Sequence, residues 1–399
     1  MHFKNFVAVA AVAAATSISF SAYAQDVHTL TPHFPDAFKV RTTTVSDALV
    51  TIPNGTAGPT TQSSHSAMAW TTDTHKTAEG YHATIAIESM DLGLPPAPAA
   101  GASPGAPPSS VTTTPPVTAT PTVTAPAAAA PPPVPAPSPL ATMTPADLQQ
   151  KMTAILKLIG NPEVSYDSRM RPVRIDNLDA LKANVKNMIM VGITAQDAPK
   201  FSSIFDLFVN DITPESAASL LRQSTRSRLP FDKPLPLNTT VPLDGTTFEL
   251  YGATLAVGGT ATLDSWEDGK TAHLTLVTAP PESDMHMFLD SLVDAFMNKA
   301  IVAMGKDAKP EQMTPVKVMI KRFIDGTAIR VTSTCKVDVD LNDTALTHSD
   351  CMTDIYARID TSKFMTDEQI KANPEAAAKL QVITFIETVH SVSDTVLVN

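Results

Sequence analysis

Residues 94–140 divide this chain into two parts that must find each other in order to fold. From Leu94 to Leu140 the sequence is built almost wholly from Pro, Ala, Thr, Ser, Val and Gly, and no Asp, Glu, Lys or Arg occurs between Leu92 and Ala146. Frequent proline removes backbone donors and fixes φ, so neither helix nor sheet propagates through such a stretch. The stretch also lacks the large apolar side chains that would offset the entropy of ordering. It reads as a disordered, polyproline-like tether, which at about 3.1 Å per residue would extend on the order of 140 Å. Its first reading is a spacer, and its second a ligand for a proline-reading domain.

The first 24 residues read as a signal peptide. Lys4 precedes an apolar, Ala-rich run from Phe6 to Ala15, and a mildly polar stretch follows, ending Ala22-Tyr23-Ala24. Small residues at Ala22 and Ala24 fit the cleavage pattern, which places the cut between Ala24 and Gln25. A spanning helix would need about 20 strongly apolar residues, and Thr16, Ser17, Ser19 and Ser21 interrupt that continuation. The expectation is an exported chain, periplasmic or secreted, with no transmembrane segment after processing.

Between that signal and the tether, residues 25–93 read as β. Phe38 to Val50 is rich in Val and Thr, Ser64 to Thr71 alternates around Met68 and Trp70, and His82 to Glu88 places Ala83, Ile85 and Ile87 on one face. Glu79-Gly80 marks a hairpin turn before the last of these. So short a segment makes a thin independent domain, and its strands are expected to join the sheet of residues 141–399.

After the tether the hydrophobic period changes to that of helices. Thr144-Pro145-Ala146-Asp147 and Thr213-Pro214-Glu215 are helix starts, with Thr as cap and Pro in the first turn. The first opens a helix running to Gly160, a second helix fits Leu178 to Met190, and Glu163 to Ile175 between them reads as a short hairpin. Strands are expected over Thr247–Val257, Thr260–Trp266 and Thr271–Thr278, followed by a long helix from Met285 to Met304. Further strands follow over Val316–Ile324, Ala328–Leu341, Ala345–Ile359 and Val382–Val398, with a helix at Met365–Lys379 before the last.

The two cysteines, Cys335 and Cys351, give the most specific local expectation. Alternation puts Val331, Cys335, Val337 and Val339 on one strand face and Thr347, Ser349, Cys351 and Thr353 on one face of the next. A three-residue loop, Asn342-Asp343-Thr344, would pair Val339 with Thr347, Val337 with Ser349 and Cys335 with Cys351. Asn or Asp would take the left-handed position in that loop. Directly opposed residues lie about 4.5 to 5.5 Å apart at Cα, within disulfide range. The expected bridge is structural, since catalytic dithiols favour a C-x-x-C spacing.

Other motifs carry no chemistry. Gly101-Ala102-Ser103-Pro104-Gly105 matches G-x-S-x-G, but no strand precedes it and no helix follows. Gly269-Lys270-Thr271 resembles the end of a phosphate loop, yet the required glycine is Asp264. Met285-His286-Met287 could suit Cu(I), although Met285, Phe288 and Leu289 fit a core stripe. His65, His75 and His82 have no metal-ligand spacing. The acid pairs Asp338 with Asp340 and Asp350 with Asp354 fall on strand surfaces. No catalytic, cofactor or metal residue is therefore assigned. A net charge of −11 opposes binding to phosphate backbones, and the basic clusters Arg169–Arg174 and Arg222–Arg228 read as solvated faces.

The fold expected is α+β, mainly antiparallel sheet with amphipathic helices packed on one face. Exported half-barrels that shelter an apolar ligand share this plan, as a fold-level analogy only. The leading functional reading is a non-catalytic carrier for an apolar small molecule, with Met285–Met304 covering the sheet. A cell-envelope scaffold acting through the tether comes second, and an enzyme without a recognisable motif third.

Overall fold

The computed structural model describes residues 26–52, 58–91, 93, 158–190, 193, 198–303, 310–364, 371–373 and 382–398. The signal segment with Ala24 and Gln25, the tether, the helix start at Thr144 and most of the helix expected at 365–379 lie outside the described residues.

The long strands are β2 (Ala37–Ile52), β3 (Thr60–Lys76), β4 (Tyr81–Asp91), β10 (Ala253–Glu267), β12 (Thr327–Asp340), β13 (Leu346–Asp360) and β14 (Val382–Leu397). Shorter ones are β1 (Val27–Thr29), β5 (Glu163–Tyr166), β6 (Pro172–Ile175), β7 (Pro234–Pro236), β8 (Thr240–Pro242), β9 (Thr246–Leu250) and β11 (Thr271–Ala279). The main sheet runs β6-β5-β4-β3-β2-β14-β13-β12-β11-β10-β8, with β9 also on β10, while β1 and β7 form a separate pair. Each pairing is antiparallel. The last strand, β14, sits between β2 and β13, from Ile386 opposite Thr51 to Leu397 opposite Val40. Strands from both sides of residues 94–140 thus share one sheet.

Local chemistry sets the turns. Gly80, at φ 151°, closes the β3–β4 hairpin, where the Thr77 N–H donates to the Gly80 carbonyl at 2.8 Å. The strand expected over Thr247–Val257 is instead a hairpin. Tyr251 and Gly252, at φ 52° and 80°, turn the chain between β9 and β10. Two successive positive-φ residues give the tight turn whose twist matches antiparallel strands. No Asn-Gly or Asp-Gly pair advertises it.

In the β12–β13 hairpin, Cys335 lies opposite Cys351 and Val337 opposite Ser349, as the alternation requires. The two sulfurs are at disulfide distance, with Cα atoms 4.0 Å apart. Nearer the loop a bulge pairs Val339 with Leu346 in place of Thr347. Thr344, not Asn342 or Asp343, takes the left-handed position, at φ 52°. A tertiary bond accompanies that choice: buried Thr344 accepts the His33 N–H at its Oγ1, at 2.5 Å.

Five α-helices lie among the described residues: α1 (Leu178–Met190), α2 (Ala198–Val209), α3 (Pro214–Leu221), α4 (Glu282–Ala303) and α5 (Pro310–Asp325). Thr213 and Ser216 cap α3 reciprocally, side chain to backbone in both directions. The helix over Pro310–Asp325 replaces the strand expected over Val316–Ile324. Val316, Val318 and Ile320 alternate as in a strand, but Lys317 and Lys321 also stand one helical turn apart. Lys321 reaches Asp290 and Asp294, and Lys317 reaches Asp294, all on α4. These contacts across the helix pair, with Ile324 buried, fit a period of 3.6.

The main core joins sheet residues Leu263, Leu274, Leu276, Val337 and Val339 to Leu30, Phe34, Leu229, Phe231 and Leu235 from irregular segments and β7. A second cluster seats α3, through Ala217 and Ala218, on Val164 and Ile175. A third places Phe288 of α4 against Ala253 and Leu255 of β10.

Candidate functional site

A cavity of about 470 Å³ opens over β4, β3, β2, β14 and β13, five adjacent strands of the sheet. Strand alternation supplies its apolar wall. Val40 and Thr42 of β2, Met68, Trp70 and Thr72 of β3, and Ile85 and Ile87 of β4 point into it. Their register continues from strand to strand: Trp70 lies opposite both Thr42 and Ile87, and Thr72 opposite Val40 and Ile85. Toward β14 the wall becomes polar, and the hydroxyls there satisfy one another. Thr42 and Thr395 are 3.0 Å apart, Thr44 and Ser393 2.6 Å, and Ser46 and Ser391 3.0 Å.

The opposite wall is Leu221 at the end of α3 and the following residues Ser224 to Ser227, with Tyr166, Met170 and Pro172 from the β5–β6 hairpin. Residues 226–228 form a short 3₁₀ turn. The cysteine pair backs this wall: Thr225 Oγ1 is 3.8 Å from Cys335 Sγ and 3.7 Å from Cys351 Sγ.

Among the described residues Arg226 is the one charged residue that lines the cavity. Its guanidinium lies 5.3 Å from the Phe34 ring centroid and 5.8 Å from that of Phe38, a cation–π setting. Burial pushes its proton affinity below the ordinary arginine value, opposed by Tyr166 and Asp343. Arginine remains charged through such a shift. Its Nε is buried without a hydrogen bond among the described residues. The Tyr166 phenol is pushed up by burial, with Arg226 opposing. Arg228 points elsewhere, to Thr278 Oγ1 and Gln223 Oε1, and burial lowers it too.

The basic cluster Arg222–Arg228 is thus not a solvated face. Arg222 binds the carbonyls of Pro172 and Val173, while Arg226 and Arg228 turn inward. Composition alone could not reveal this, although the apolar neighbours Leu229-Pro230-Phe231 mark a segment bound for the core. Nor does the helix at 285–304 cover the cavity. Its Phe288 packs on β10, and Met285 joins that cluster while Met287 is exposed.

The other face of the same strands has an open depression of about 490 Å³ that includes Asp47, His65, Met352 and His390. His65 is opposite Asp47, and Asp47 opposite His390, in register. Each histidine already holds a carboxylate: His65 Nδ1 is 2.7 Å from Asp47 and His390 Nε2 2.8 Å from Asp350. His75 and His82 are cross-strand partners but turn to Asp73 and Asp176. Among the described residues no three His, Cys, Asp or Glu side chains converge as metal ligands do. Asp338 engages His273, and Asp354 accepts from Thr388. Most of the histidines and acids singled out in the sequence are therefore engaged across strands, while His75 meets Asp73 on its own strand and Asp340 accepts from Asn342.

Among the described residues no helix is long and apolar enough to cross a membrane. Comparison with known protein families and with curated proteins finds no match.

Proposed function

We propose that this protein is an exported, non-catalytic carrier that holds an apolar ligand in the cavity between β2–β4 and residues 221–227. The supporting observation is the cavity wall of Met68, Trp70, Ile85 and Ile87, continuous across three strands. Its size, about 470 Å³, is that of small-molecule sites, which are mainly apolar with a few placed polar groups. A cavity of about 150 Å³ accepts one benzene, so this one would take on the order of 18 carbons. Export is supported by the signal pattern of residues 1–24 and by the cysteine pair, which an oxidising compartment would keep bridged. In this reading the helices lie on one face of the sheet, and residues 94–140 are a spacer.

Native mass spectrometry of the mature protein, purified from its own host without detergent, tests the reading. An extra mass that denaturation releases, and that proves to be an apolar compound, is expected. Trp70 gives a second test. Trp70 and Trp266 are the chain's two tryptophans, and Trp266 stacks on His28, outside the cavity lining. In a Trp266→Phe variant, 1-dodecanol should shift Trp70 emission to shorter wavelength. A clean apo mass together with unmoved Trp70 emission would sink the carrier reading.

A further inference from the structure

We infer that the ligand is an amphiphile with an oxyanion head, and that Arg226 is the counter-ion that receives it. This rests on the carrier reading above and adds the chemical class of the cargo.

Five arginines have carboxylate partners, and Arg228, which has none among the described residues, bonds instead to Thr278 and Gln223. Arg41 pairs with Glu88, Arg169 with Asp232, Arg171 with Asp244, Arg174 with Asp176 and Arg330 with Glu282. Arg226 has no such ion pair among the described residues, though it lies against the cavity. Phe34 and Phe38 hold its charge by their ring faces. Ring faces stabilise the cation but leave the N–H donors unused. Asp343 is near enough to favour the charge, yet its Oδ1 accepts the Ala345 N–H within the hairpin loop.

Arg226 is only partly exposed, with its Nε buried, and a charge held away from water without a partner is costly, so such groups are normally paired. A fixed guanidinium beside an apolar space therefore suits a ligand that brings its own anion. Arginine's planar fork matches carboxylate and phosphate oxygens in pairs. Thr395 lines the same corner as Arg226 and extends the polar side of the wall that a head group would meet. The apolar stretch at Ile85, Ile87 and Met68 would then take the chain.

The test compares four ligands of one chain length on the full protein by calorimetry, each below its micelle concentration: dodecanoate, dodecyl phosphate, 1-dodecanol and dodecylamine. The wild type should bind one or both anions roughly 10- to 100-fold more tightly than the alcohol, the range expected for a hydrogen-bonded charge. Dodecylamine should be weakest. Which anion binds tighter identifies the head as carboxylate or phosphate. Arg226→Met should reduce the ratio of anion to alcohol affinity to within about 2-fold, and Arg226→Lys should restore part of it. Should R226M not fold, Thr395→Asp supplies an internal carboxylate and should abolish the preference in the same way. Equal binding of anion and alcohol by the wild type would overturn this inference and leave the carrier reading standing. An anion preference that survives both R226M and Thr395→Asp would overturn it as well. Binding of none of the four would overturn both.

Discussion

Thr44 Oγ1 and Ser393 Oγ lie 2.6 Å apart, joining a strand from the beginning of the chain to the last one. The pair belongs to the row of hydroxyls between β2 and β14 that borders the cavity. A typical internal hydrogen bond contributes about 1 kcal/mol, and orphaning one partner costs about 1–3 kcal/mol. Thr44→Val should thus lower stability by about 1 kcal/mol, read as a shift in urea midpoint with an unchanged slope. The double variant Thr44→Val/Ser393→Ala should cost less than the sum of the singles. Strict additivity would show that the two hydroxyls do not act together.

Gly80 packs against the backbone of Tyr166, which lines the cavity. A Cβ at this position would stand 2.1 Å from the Tyr166 carbonyl oxygen and 2.9 Å from the Asp167 carbonyl carbon. Backbone would have to move, and Tyr166 is part of the cavity wall. Gly80→Ala should destabilise by at least about 2 kcal/mol, combining overpacking with φ strain, and should weaken 1-dodecanol binding. Gly252 is the control: its φ is 80° but nothing lies within 4 Å. Gly252→Ala should cost about 1 kcal/mol, the strain alone, without changing ligand affinity. Equal effects of the two substitutions on binding would disconnect Gly80 from the cavity.

Which parts of this arrangement were legible in the sequence follows from the range of the interactions. Period-2 alternation at Ile85 and Ile87, and at Met68 and Trp70, marks residues that line the cavity, because alternation is a local property of strands. The Cys335–Cys351 register could be counted from a single loop, and a bulge near that loop did not propagate to the cysteines. Long-range contacts were not legible. Val316–Ile324 carries both a strand and a helix pattern, and the pairing of Lys317 and Lys321 with another helix accompanies the second. Thr344 adopts a conformation disfavoured for its type while bonded to His33, far away in the chain. Arg226 looked like one of several surface arginines because nothing local announces Phe34 and Phe38 above it.

A disulfide bridge between Cys335 and Cys351, which lie at disulfide distance, should stabilise both fold and site. It closes a separation of 16 residues, for which chain entropy gives about 3 kcal/mol. Cys335→Ala/Cys351→Ala should therefore lower the unfolding free energy by about that amount. Thr225 also touches both sulfurs and precedes Arg226. The same variant should therefore weaken ligand binding under conditions where it remains folded. A variant with the expected loss of stability but full affinity would confine the bridge to the sheet.

Asp244 gives the pH prediction. Its carboxylate meets Lys233 at 2.8 Å and Arg171 at 3.2 Å, and these bonds hold it below the usual carboxylate range. A group whose folded value is depressed contributes stability that is fully present above its unfolded value and lost as pH falls through the folded one. With an ordinary value of 3.8, that window lies below about pH 4. The carboxylate is about half exposed (48%), so solvent limits the contribution to the range of surface ion pairs, about 0–1 kcal/mol. Asp244→Asn should therefore cost a fraction of a kcal/mol at pH 7, and that cost should shrink as pH falls below about 4. Urea midpoints of the two proteins, measured from pH 7 to pH 2, should converge with acid. A gap that stays constant across that range would show that Asp244 acts through packing and not through its charge.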